Sequence, residues 1–370
     1  MSYLIRESIS SDKDLINNFN KKLENYGITF RLPIPADKKV NIEDLIFENK
    51  FILTENEQIV VAGYTLKCQL FQLKNDLSKI GYYYNPVTAG LFNKKYNICG
   101  IMLLKDAHKK YPNLFCLGMG GYSEALPRLL SSLNWRLQTI PFFFKIYKPY
   151  SFLQNMRYLK KTKITSLLIS LIKNIGIGWI FIKLFFIFIS LFHIQFSKTS
   201  KLAVKEIEVF DENFDSIWEE AKENYSFVAV RNRLYLKKLY SSKRFIKLVF
   251  LEENKIVGWS IALCTNLKNH KQFGNMNLGS IIDCFSLKGY ETNIIKKTSD
   301  IIKKKGADLV ISNQSHVSWQ NAFKRNSYIN GPSNFIFASS KQLSEKLTSA
   351  EKLIDFIHLT RGDGDGPINL

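Results

Sequence analysis

The sequence predicts a mixed α/β (α+β) protein of two similar halves, each a mixed, twisted sheet flanked by helices. An apolar, basic helical segment joins the halves. Three observations support this prediction. Strand and helix patterns alternate in the same order on both sides of the centre of the 370-residue chain. The stretch ILTENEQIVVAGYTL (52–66) has a near copy, VFLEENKIVGWSIAL (249–263), which indicates a duplicated domain. A long apolar run, residues 175–196, lies between the halves.

The elements of the first half follow from local patterns. Apolar spacing predicts helices, alternation and β-branched or aromatic residues predict strands, and proline or glycine marks their ends. The order is a helix at 11–25, two strands around a polar turn at 51–73, an aromatic strand stopped by proline at 79–86, a helix at 98–112, a strand running into glycines at 114–121, a helix at 123–135 and a strand at 139–149.

The second half repeats this order. Its residue pattern predicts a strand at 204–210, a helix at 213–225, two strands around a turn at 244–266, a strand at 278–287, an amphipathic helix at 292–307, a strand at 308–315, a helix at 317–328 and a final strand at 333–340. We therefore expect domains at residues 1–150 and 204–345, a linker at 151–203, and a tail at 346–370 that contains RGDGDG.

The positive charge is concentrated in one part of the chain. The net charge is +20, and no acidic residue occurs between Glu124 and Glu206, a stretch that holds thirteen lysines and arginines. This placement argues against a general nucleic-acid-binding surface. The cysteine count of five is odd and no CxxC pair occurs, so neither a disulfide framework nor a zinc site is expected, and we predict no metal. The N-terminus lacks a signal-peptide pattern.

The apolar run allows three interpretations. It fits an amphipathic helix lying in the surface of an anionic bilayer, with the basic residues of 157–205 on the lipid. Its length also suits a spanning helix, and it could be a buried helix of a large core. The likeness of the flanking halves argues against placing them on opposite sides of a membrane. We expect a cytoplasmic protein peripheral to the inner face of the membrane, and single-pass spanning stays open.

Several residues of both halves resemble the GNAT acyltransferase superfamily, particularly tandem members associated with bacterial surface polysaccharides. They are the hairpin glycines Gly63 and Gly258, the strand ending Asn85–Pro86, LGMGG (117–121) followed by LPRLLSSLNW, and IPFFFKIYKP. The tail HLTRGDGDGP is similar to tails of such chains. The resemblance implies acyl-CoA (acetyl-CoA or another) as donor, bound where two parallel strands diverge, with its pyrophosphate at a helix N-terminus.

The phosphate loop usual in that superfamily, Q/R-x-x-G-x-G/A, is absent from both halves. In the first half, VTAGLFNKKYNICG (87–100) takes its place, and Gly90, Asn97 and Gly100 are candidates for a phosphate cradle with Lys94 and Lys95. The second half has only Gly289 and Lys288 before its helix. We therefore expect the first half to be the catalytic one.

Other candidates follow the strands of the predicted cleft. Gly118, Gly120 and Gly121 offer open backbone beside the thioester, or merely a tight turn. Tyr122 and Glu124 are candidate acid or base groups, whereas Ser123 is the expected helix N-cap.

Three further positions have two interpretations each. Asn85 binds donor or acceptor, or shapes the turn. Asp283, in the apolar strand IIDCF, is either a general base or the partner of a buried arginine. The RGDGDG tail either binds a cation or is packed by Arg361 against the cleft.

Three functions fit these expectations. The first is an acyl-CoA-dependent transferase that acylates an amino sugar or another amine or hydroxyl acceptor of a cell-envelope or polysaccharide precursor, for example a lipid-linked sugar. The second is an aminoacyl-tRNA-dependent ligase of the peptidoglycan-bridge type. The third is a non-catalytic, membrane-attached assembly protein. We do not expect nucleic acid as a partner, because the basic residues cluster with apolar ones.

Overall fold

The computed structural model describes residues 2–35, 46–155, 202–347 and 352–364. The chain forms two compact units. Unit 1 comprises Met1–Gln138 and Ile336–Ser349, and unit 2 comprises Thr139–Phe335 and Ala350–Leu370. The predicted linker and membrane-surface segment lie mostly in residues 156–201, outside the described ranges.

The elements of the first part of the chain are β1 (Tyr3–Glu7), α1 (Lys13–Asn25), β2 (Phe47–Glu55), β3 (Ile59–Leu73), β4 (Asp76–Thr88), α2 (Cys99–Lys110), β5 (Leu114–Gly118), α3 (Ala125–Ser132) and β6 (Arg136–Thr139). They are followed by β7 (Phe142–Ile146), α4 (Pro149–Asn155), β8 (Ala203–Glu206), α5 (Asn213–Ala221), β9 (Phe227–Ala229), α6 (Arg233–Leu239), β10 (Ile246–Glu252), β11 (Lys255–His270), β12 (Gly274–Ser286), α7 (Glu291–Lys304), β13 (Leu309–Asn313), α8 (Val317–Arg325), β14 (Ile329–Gly331), β15 (Ile336–Ser339), α9 (Lys341–Lys346) and β16 (Ile357–His358).

Unit 1 is built on a mixed sheet in the order β1-β2-β3-β4-β5-β15-β6. Strands β1 to β4 are antiparallel neighbours, whereas β4 and β5 are parallel. The turn between β2 and β3 places Asn56 and Glu57 at φ values of 50° and 60°, a conformation typical of tight hairpins. Gly63 is required in this hairpin because a Cβ there would lie 2.6 Å from the Phe51 carbonyl oxygen.

Helices α1 and α2 pack against the unit 1 sheet. Helix α1 buries one apolar stripe and α2 another, at the three- and four-residue spacing of an amphipathic helix. The buried side chains are Ile16, Phe19 and Leu23 of α1, Leu103, Leu104 and Ala107 of α2, and Tyr64, Leu66 and Tyr83 of the sheet. This core fixes α2 against β3 and β4, and so fixes the position of the α2 N-terminus.

Unit 2 repeats the design in the order β14-β7-β13-β12-β11-β10-β8. Here β12 and β13 are the parallel pair, and β10 and β11 form the second hairpin, with Glu253 and Asn254 at φ values of 48° and 67°. Helix α7 buries Ile294, Ile295 and Ile302. Both near-repeat stretches therefore form the predicted hairpin, and the predicted fold class is confirmed.

The units exchange the strands that were expected to end each half. Strand β7, from the predicted strand 139–149, pairs with β13 and β14 in the unit 2 sheet. Strand β15, from the predicted strand 333–340, pairs with β5 in the unit 1 sheet. The compact units therefore do not end at the expected boundaries 150 and 345. A strand pattern predicts that a segment is extended but not which edge it joins.

The described ranges contain no helix long and apolar enough to cross a membrane.

Candidate functional site

The parallel strands of unit 1 diverge soon after they pair. Gly81 lies opposite Leu114 and Tyr82 opposite Phe115, and the backbone pairing of β4 with β5 ends there. Strand β4 continues to Thr88 and β5 to Gly118. The carboxyl ends of the two strands therefore form the sides of a wedge, which we call the unit 1 splay. The Tyr82 hydroxyl donates a hydrogen bond across it to the Leu117 carbonyl oxygen at 3.2 Å.

A β-bulge shapes the β4 side of this splay. Thr65 pairs with Tyr84 and Gly63 with Val87, so β4 has one residue more than β3 between these pairs. Asn85 lies in the bulge at φ 49°, and its side-chain amide donates to the Arg31 carbonyl oxygen at 2.9 Å. Asn85 therefore shapes the strand and holds the segment that follows α1.

The predicted phosphate cradle, residues 87–100, folds as two short 3₁₀ turns before α2, Ala89–Leu91 and Lys94–Tyr96. A Cβ on Gly90 would lie 3.0 Å from the Tyr96 carbonyl oxygen, so Gly90 serves close packing within the loop. Asn97 is exposed. Gly100, in the first turn of α2, has more room, because the nearest atom to a Cβ there would be Leu129 Cδ2 at 3.7 Å.

A carboxylate fixes this loop from the end of β2. Glu55 accepts hydrogen bonds from Lys95 Nζ at 2.8 Å and from the Tyr96 hydroxyl at 2.9 Å. The hydrogen bond from Lys95 is the main cause that lowers the pKa of Glu55. Lys95 is therefore already paired with Glu55. The neighbouring Lys94 is exposed to solvent. The first turn of α2 contains no acid, so its unpaired N–H groups and helix dipole favour an anion.

The β5 side of the splay ends in a run of left-handed backbone. Gly118, Met119, Gly120 and Gly121 have φ values of 95°, 65°, 80° and 130°. The three glycines adopt such values without strain, whereas Met119 is a non-glycine residue in this conformation. Nothing lies within 4 Å of a Cβ placed on Gly121. The backbone of this turn is therefore accessible.

The candidate acid and base residues follow this turn. Tyr122 is 52% exposed, and Glu124 is exposed. Glu124, and not the expected Ser123, is the N-cap residue of α3. A turn precedes the helix, in which the Glu124 N–H donates to the Gly121 carbonyl oxygen at 3.2 Å. Because the carboxyl ends of parallel strands share one edge of a sheet, the structure brings Asn85, the α2 N-terminus and the 118–124 turn to the same edge.

In unit 2 the equivalent splay is occupied. Leu278–Ser280 of β12 pair with Leu309–Ile311 of β13, and the strands then diverge. Residues 357–364, here called the closing segment, lie between them. On the β13 side, Thr360 bridges to Gln314, and the Leu359 carbonyl oxygen accepts from the Ser315 N–H at 3.1 Å. On the β12 side, His358 Nε2 lies 2.9 Å from the Cys284 carbonyl oxygen.

Asp283 lies in the buried network that anchors the closing segment. Its carboxylate is 3.1 Å from Arg231 Nε, accepts from the Tyr240 hydroxyl at 2.7 Å and accepts from the Thr360 hydroxyl at 3.2 Å. Arg231 also pairs with Asp363 at 2.8 Å. Burial raises the pKa of Asp283, and the Arg231 guanidinium opposes that effect. Of the two interpretations of Asp283, the structure shows the partner of a buried arginine, and it places this residue in unit 2, whereas the other candidates lie in unit 1.

The N-terminus of α7 in unit 2 also differs from that of α2. Glu291, the first residue of α7, accepts a hydrogen bond from the Gly289 N–H at 2.9 Å through its own carboxylate. Burial raises the pKa of Glu291. A carboxylate of the chain thus occupies the position where α2 offers free N–H groups. No group of three or more potential metal ligands occurs among the described residues.

Comparison of the chain with protein-family models and with curated protein sequences gives no match. Solved structures are similar over most of its length. They show that the chain has the fold of GCN5-related N-acetyltransferases (GNAT). One similar structure is the GCN5-related glucosamine N-acetyltransferase region of a fungal multi-domain GH3 β-N-acetylglucosaminidase, with a TM-score of 0.53 and 11% identity over 91% of this chain and 38% of that protein. This chain therefore spans about two fifths of the fungal protein.

Two other structures show the same GNAT fold. A GCN5-related N-acetyltransferase from Anabaena variabilis has a TM-score of 0.53 and 9% identity, covering 91% of this chain and 72% of its own. A protein of unknown function from Enterococcus faecalis, named a probable N-acyltransferase, has a TM-score of 0.52 and 10% identity, covering 94% of this chain and 74% of its own. At these identities the similarity establishes the fold.

Sequence reasoning missed two features of the GNAT units. The first is the tie between a tyrosine before the helix and a glutamate at the end of the hairpin strand, Tyr96 with Glu55 in unit 1 and Tyr290 with Glu252 in unit 2. The near-repeat already contained both glutamates at matching positions. The second is the set of contacts that holds the tail in the unit 2 splay: packing against the cleft through Arg361 was one interpretation of the tail, but the roles of His358, Thr360 and Asp363 were not predicted.

Proposed function

We propose that unit 1 binds acyl-CoA at its splay and transfers the acyl group to an amine. The observation that carries this proposal is the contrast between the two parallel strand pairs. Unit 1 has an open, glycine-rich strand end beside an acid-free helix N-terminus. Unit 2 has the closing segment in the splay and the Glu291 carboxylate at the helix N-terminus.

The elements of unit 1 suit the parts of the donor. The pyrophosphate lies at the first turn of α2, where the N–H groups of Cys99 and Gly100 and the ammonium of Lys94 favour negative charge. The pantetheine arm follows the Asn85 bulge into the splay. The thioester reaches Gly118–Gly121, where the absence of side chains lets the backbone approach the carbonyl.

Glu124 and Tyr122 are the groups we assign to proton transfer. The acceptor amine attacks the thioester carbonyl carbon, and the carbon–sulfur bond breaks as the new amide bond forms. Glu124, exposed at the start of α3, takes the proton that the amine releases. Tyr122, also exposed, donates a proton to the departing thiolate. Groups placed in this way contribute typically about 10²–10⁴-fold to a rate.

For the acceptor we propose an amino sugar or another amine of an envelope precursor, held at an anionic membrane surface through residues 157–205. Nine lysines and arginines and no acidic residue within 157–205, around an apolar run, support attraction to anionic lipid. The glucosamine N-acetyltransferase region among the similar structures is consistent with an amino-sugar acceptor.

The test combines binding with turnover. We expect acetyl-CoA or a longer acyl-CoA to raise the melting temperature of the full chain, and an amino-sugar panel to release free thiol from the same donor. Glu124→Gln and Tyr122→Phe should lower kcat while acyl-CoA affinity stays within about twofold. Absence of any thermal shift across a CoA panel contradicts donor binding, and unchanged kcat in both variants contradicts the assigned roles.

A further inference from the structure

The closing segment is buried and bound as an extended ligand. Ile357, His358, Leu359 and Thr360 are each 0% exposed. Ile357 and His358 pair in parallel with Phe227 and Val228 of β9. Leu359 donates its N–H to the Ser315 hydroxyl at 2.7 Å. The segment thus has strand partners of its own inside unit 2, and its contacts are more extensive than those of a loose tail.

Side chains give these contacts sequence specificity. The His358 ring stacks on Tyr225 with centroids 4.7 Å apart, and its Nε2 faces the Cys284 carbonyl oxygen. Thr360 bonds to Asp283 through its hydroxyl. Asp363 both pairs with Arg231 and accepts the Thr360 N–H at 2.8 Å. A segment of another sequence would leave these buried polar groups without partners, at a cost for each.

Gly362 is fixed by the same packing. A Cβ at this position would overlap the Tyr240 hydroxyl oxygen and lie 3.3 Å from the Asp283 carboxylate. The Tyr240 hydroxyl cannot move away without losing its hydrogen bond to Asp283. The cleft therefore makes residue-specific contacts with Thr360, Gly362 and Asp363 of the T-R-G-D motif.

We propose that the unit 2 splay is a peptide-binding cleft whose ligand is the closing segment of the same chain, and that this ligand excludes acyl-CoA from unit 2. The ligand class is an extended peptide with an apolar–His–apolar–Thr–x–Gly–Asp pattern. Its amides satisfy the diverging strand edges, and its aspartate neutralises Arg231. The exclusion of acyl-CoA rests on the function proposed for the splay of unit 1. The peptide site stands on the contacts alone.

The experiment tests whether the cleft binds an added peptide of residues 357–364 after the closing segment of the chain has been displaced. A fluorescein-labelled peptide of residues 357–364 is titrated into the full-length wild type and into Gly362→Ala. We expect binding to Gly362→Ala and at least about 100-fold weaker binding to the wild type, whose cleft is filled. The peptide carrying Asp363→Asn should bind Gly362→Ala at least about tenfold more weakly. In Gly362→Ala/Tyr240→Phe, where the overlapping hydroxyl is removed, the chain's own segment should return and peptide binding should fall.

Hydrogen exchange of the wild type keeps the proposal falsifiable if Gly362→Ala does not fold. The amides of Ser315, Leu359 and Thr360 should be protected to a similar degree as those of β12. The proposal would be overturned if the amides of the closing segment exchanged as fast as those of an unstructured peptide. It would also be overturned if Gly362→Ala folded but did not bind the peptide. Neither readout uses CoA, so failure of the wild type to bind acyl-CoA would refute the function proposed for unit 1 and leave the peptide site standing.

Discussion

Units 1 and 2 contain the same arrangement of parts around their parallel strand pairs. Each has a hairpin with a buried glycine, a strand with one extra residue, and a helix that begins after a loop tied to the hairpin strand by a tyrosine–glutamate hydrogen bond. The units differ at the carboxyl ends of the parallel strands. That edge is open and glycine-rich in unit 1, and it is filled by the closing segment in unit 2.

This difference shows how one fold can supply a ligand site or a structural core from the same strand geometry. Diverging parallel strands leave main-chain groups without neighbours, and these groups need a partner when they are buried. Unit 2 meets this need with its own residues 357–364. Unit 1 leaves the groups near Gly118–Gly121 accessible, as a site for a transient ligand requires.

The largest expected effect comes from removing the cation that holds the closing segment. Arg231→Met leaves the carboxylates of Asp283 and Asp363 buried without their arginine, and should destabilise unit 2 by about 3–5 kcal/mol. The measurement is hydrogen exchange of β12 amides against urea concentration. The matched control is Arg233→Met, where a half-exposed pair with Asp215 is lost and the change should stay below about 1 kcal/mol. Equal effects of the two substitutions would contradict the buried network.

Acid should weaken unit 2 through His316. Burial lowers the pKa of His316 to about 4, so the folded state keeps this ring neutral where the unfolded chain, with a pKa near 6.5, is protonated. Stability is therefore retained above about pH 6.5 and lost as the pH falls toward 4, by about 2 kcal/mol between pH 7 and pH 5. Unfolding measured at pH 5, 6 and 7 should show a smaller slope in His316→Asn, which retains a helix-capping side chain. Identical slopes in the two proteins would contradict the assignment to His316.

A carboxylate at the α2 N-terminus should make unit 1 resemble unit 2. Gly100→Asp places an acid in the first turn, as Glu291 does in α7, and should weaken acyl-CoA binding about tenfold or more. Gly100→Asn is the uncharged control of similar size and should lose less affinity. Isothermal titration calorimetry of both variants measures the difference, and equal affinities would argue against pyrophosphate binding at this turn.

The smallest expected effect comes from removing the tyrosine–glutamate hydrogen bond that both units contain. Tyr96→Phe and Tyr290→Phe each remove one hydrogen bond to a glutamate and should each destabilise their own unit by about 1 kcal/mol. Tyr96→Phe should also reduce acyl-CoA affinity modestly, because it frees the loop before α2. Unit-resolved hydrogen exchange with parallel CoA titrations measures both. A loss of CoA affinity in Tyr290→Phe but not in Tyr96→Phe would indicate that unit 2 binds the donor, and would contradict its assignment to unit 1.

Local patterns made the hairpins and most helices predictable. The glycines of both hairpins, the aromatic strand β4 and the amphipathic helix α7 all follow from residues close together in the chain. Helix α6 and the short strands β9, β14 and β16 were not predicted, since they are stabilised by tertiary contacts. The exchange of β7 and β15 was also missed, because either strand satisfies the same alternation at either sheet.

The sequence predicted at which edge of the unit 1 sheet the candidate site lies, but not the contacts that form it. Asn85 and Gly118–Gly121 lie at the carboxyl ends of β4 and β5, where the pattern indicated. The pairing of Arg231 with Asp363 joins residues more than one hundred positions apart, and no local signal in the sequence reports such a contact. Asp283 could be recognised as a costly buried carboxylate, but its partners could not be named.

The number of acyl-CoA molecules bound per chain tests the central claim most directly. Native mass spectrometry of the full chain with excess acetyl-CoA should show one molecule bound. At the same acetyl-CoA concentration, the bound fraction should fall in Gly100→Asp and stay unchanged in Glu291→Gln. Two molecules per chain, or one that persists in Gly100→Asp and disappears in Glu291→Gln, would contradict the assignment of the donor site to unit 1.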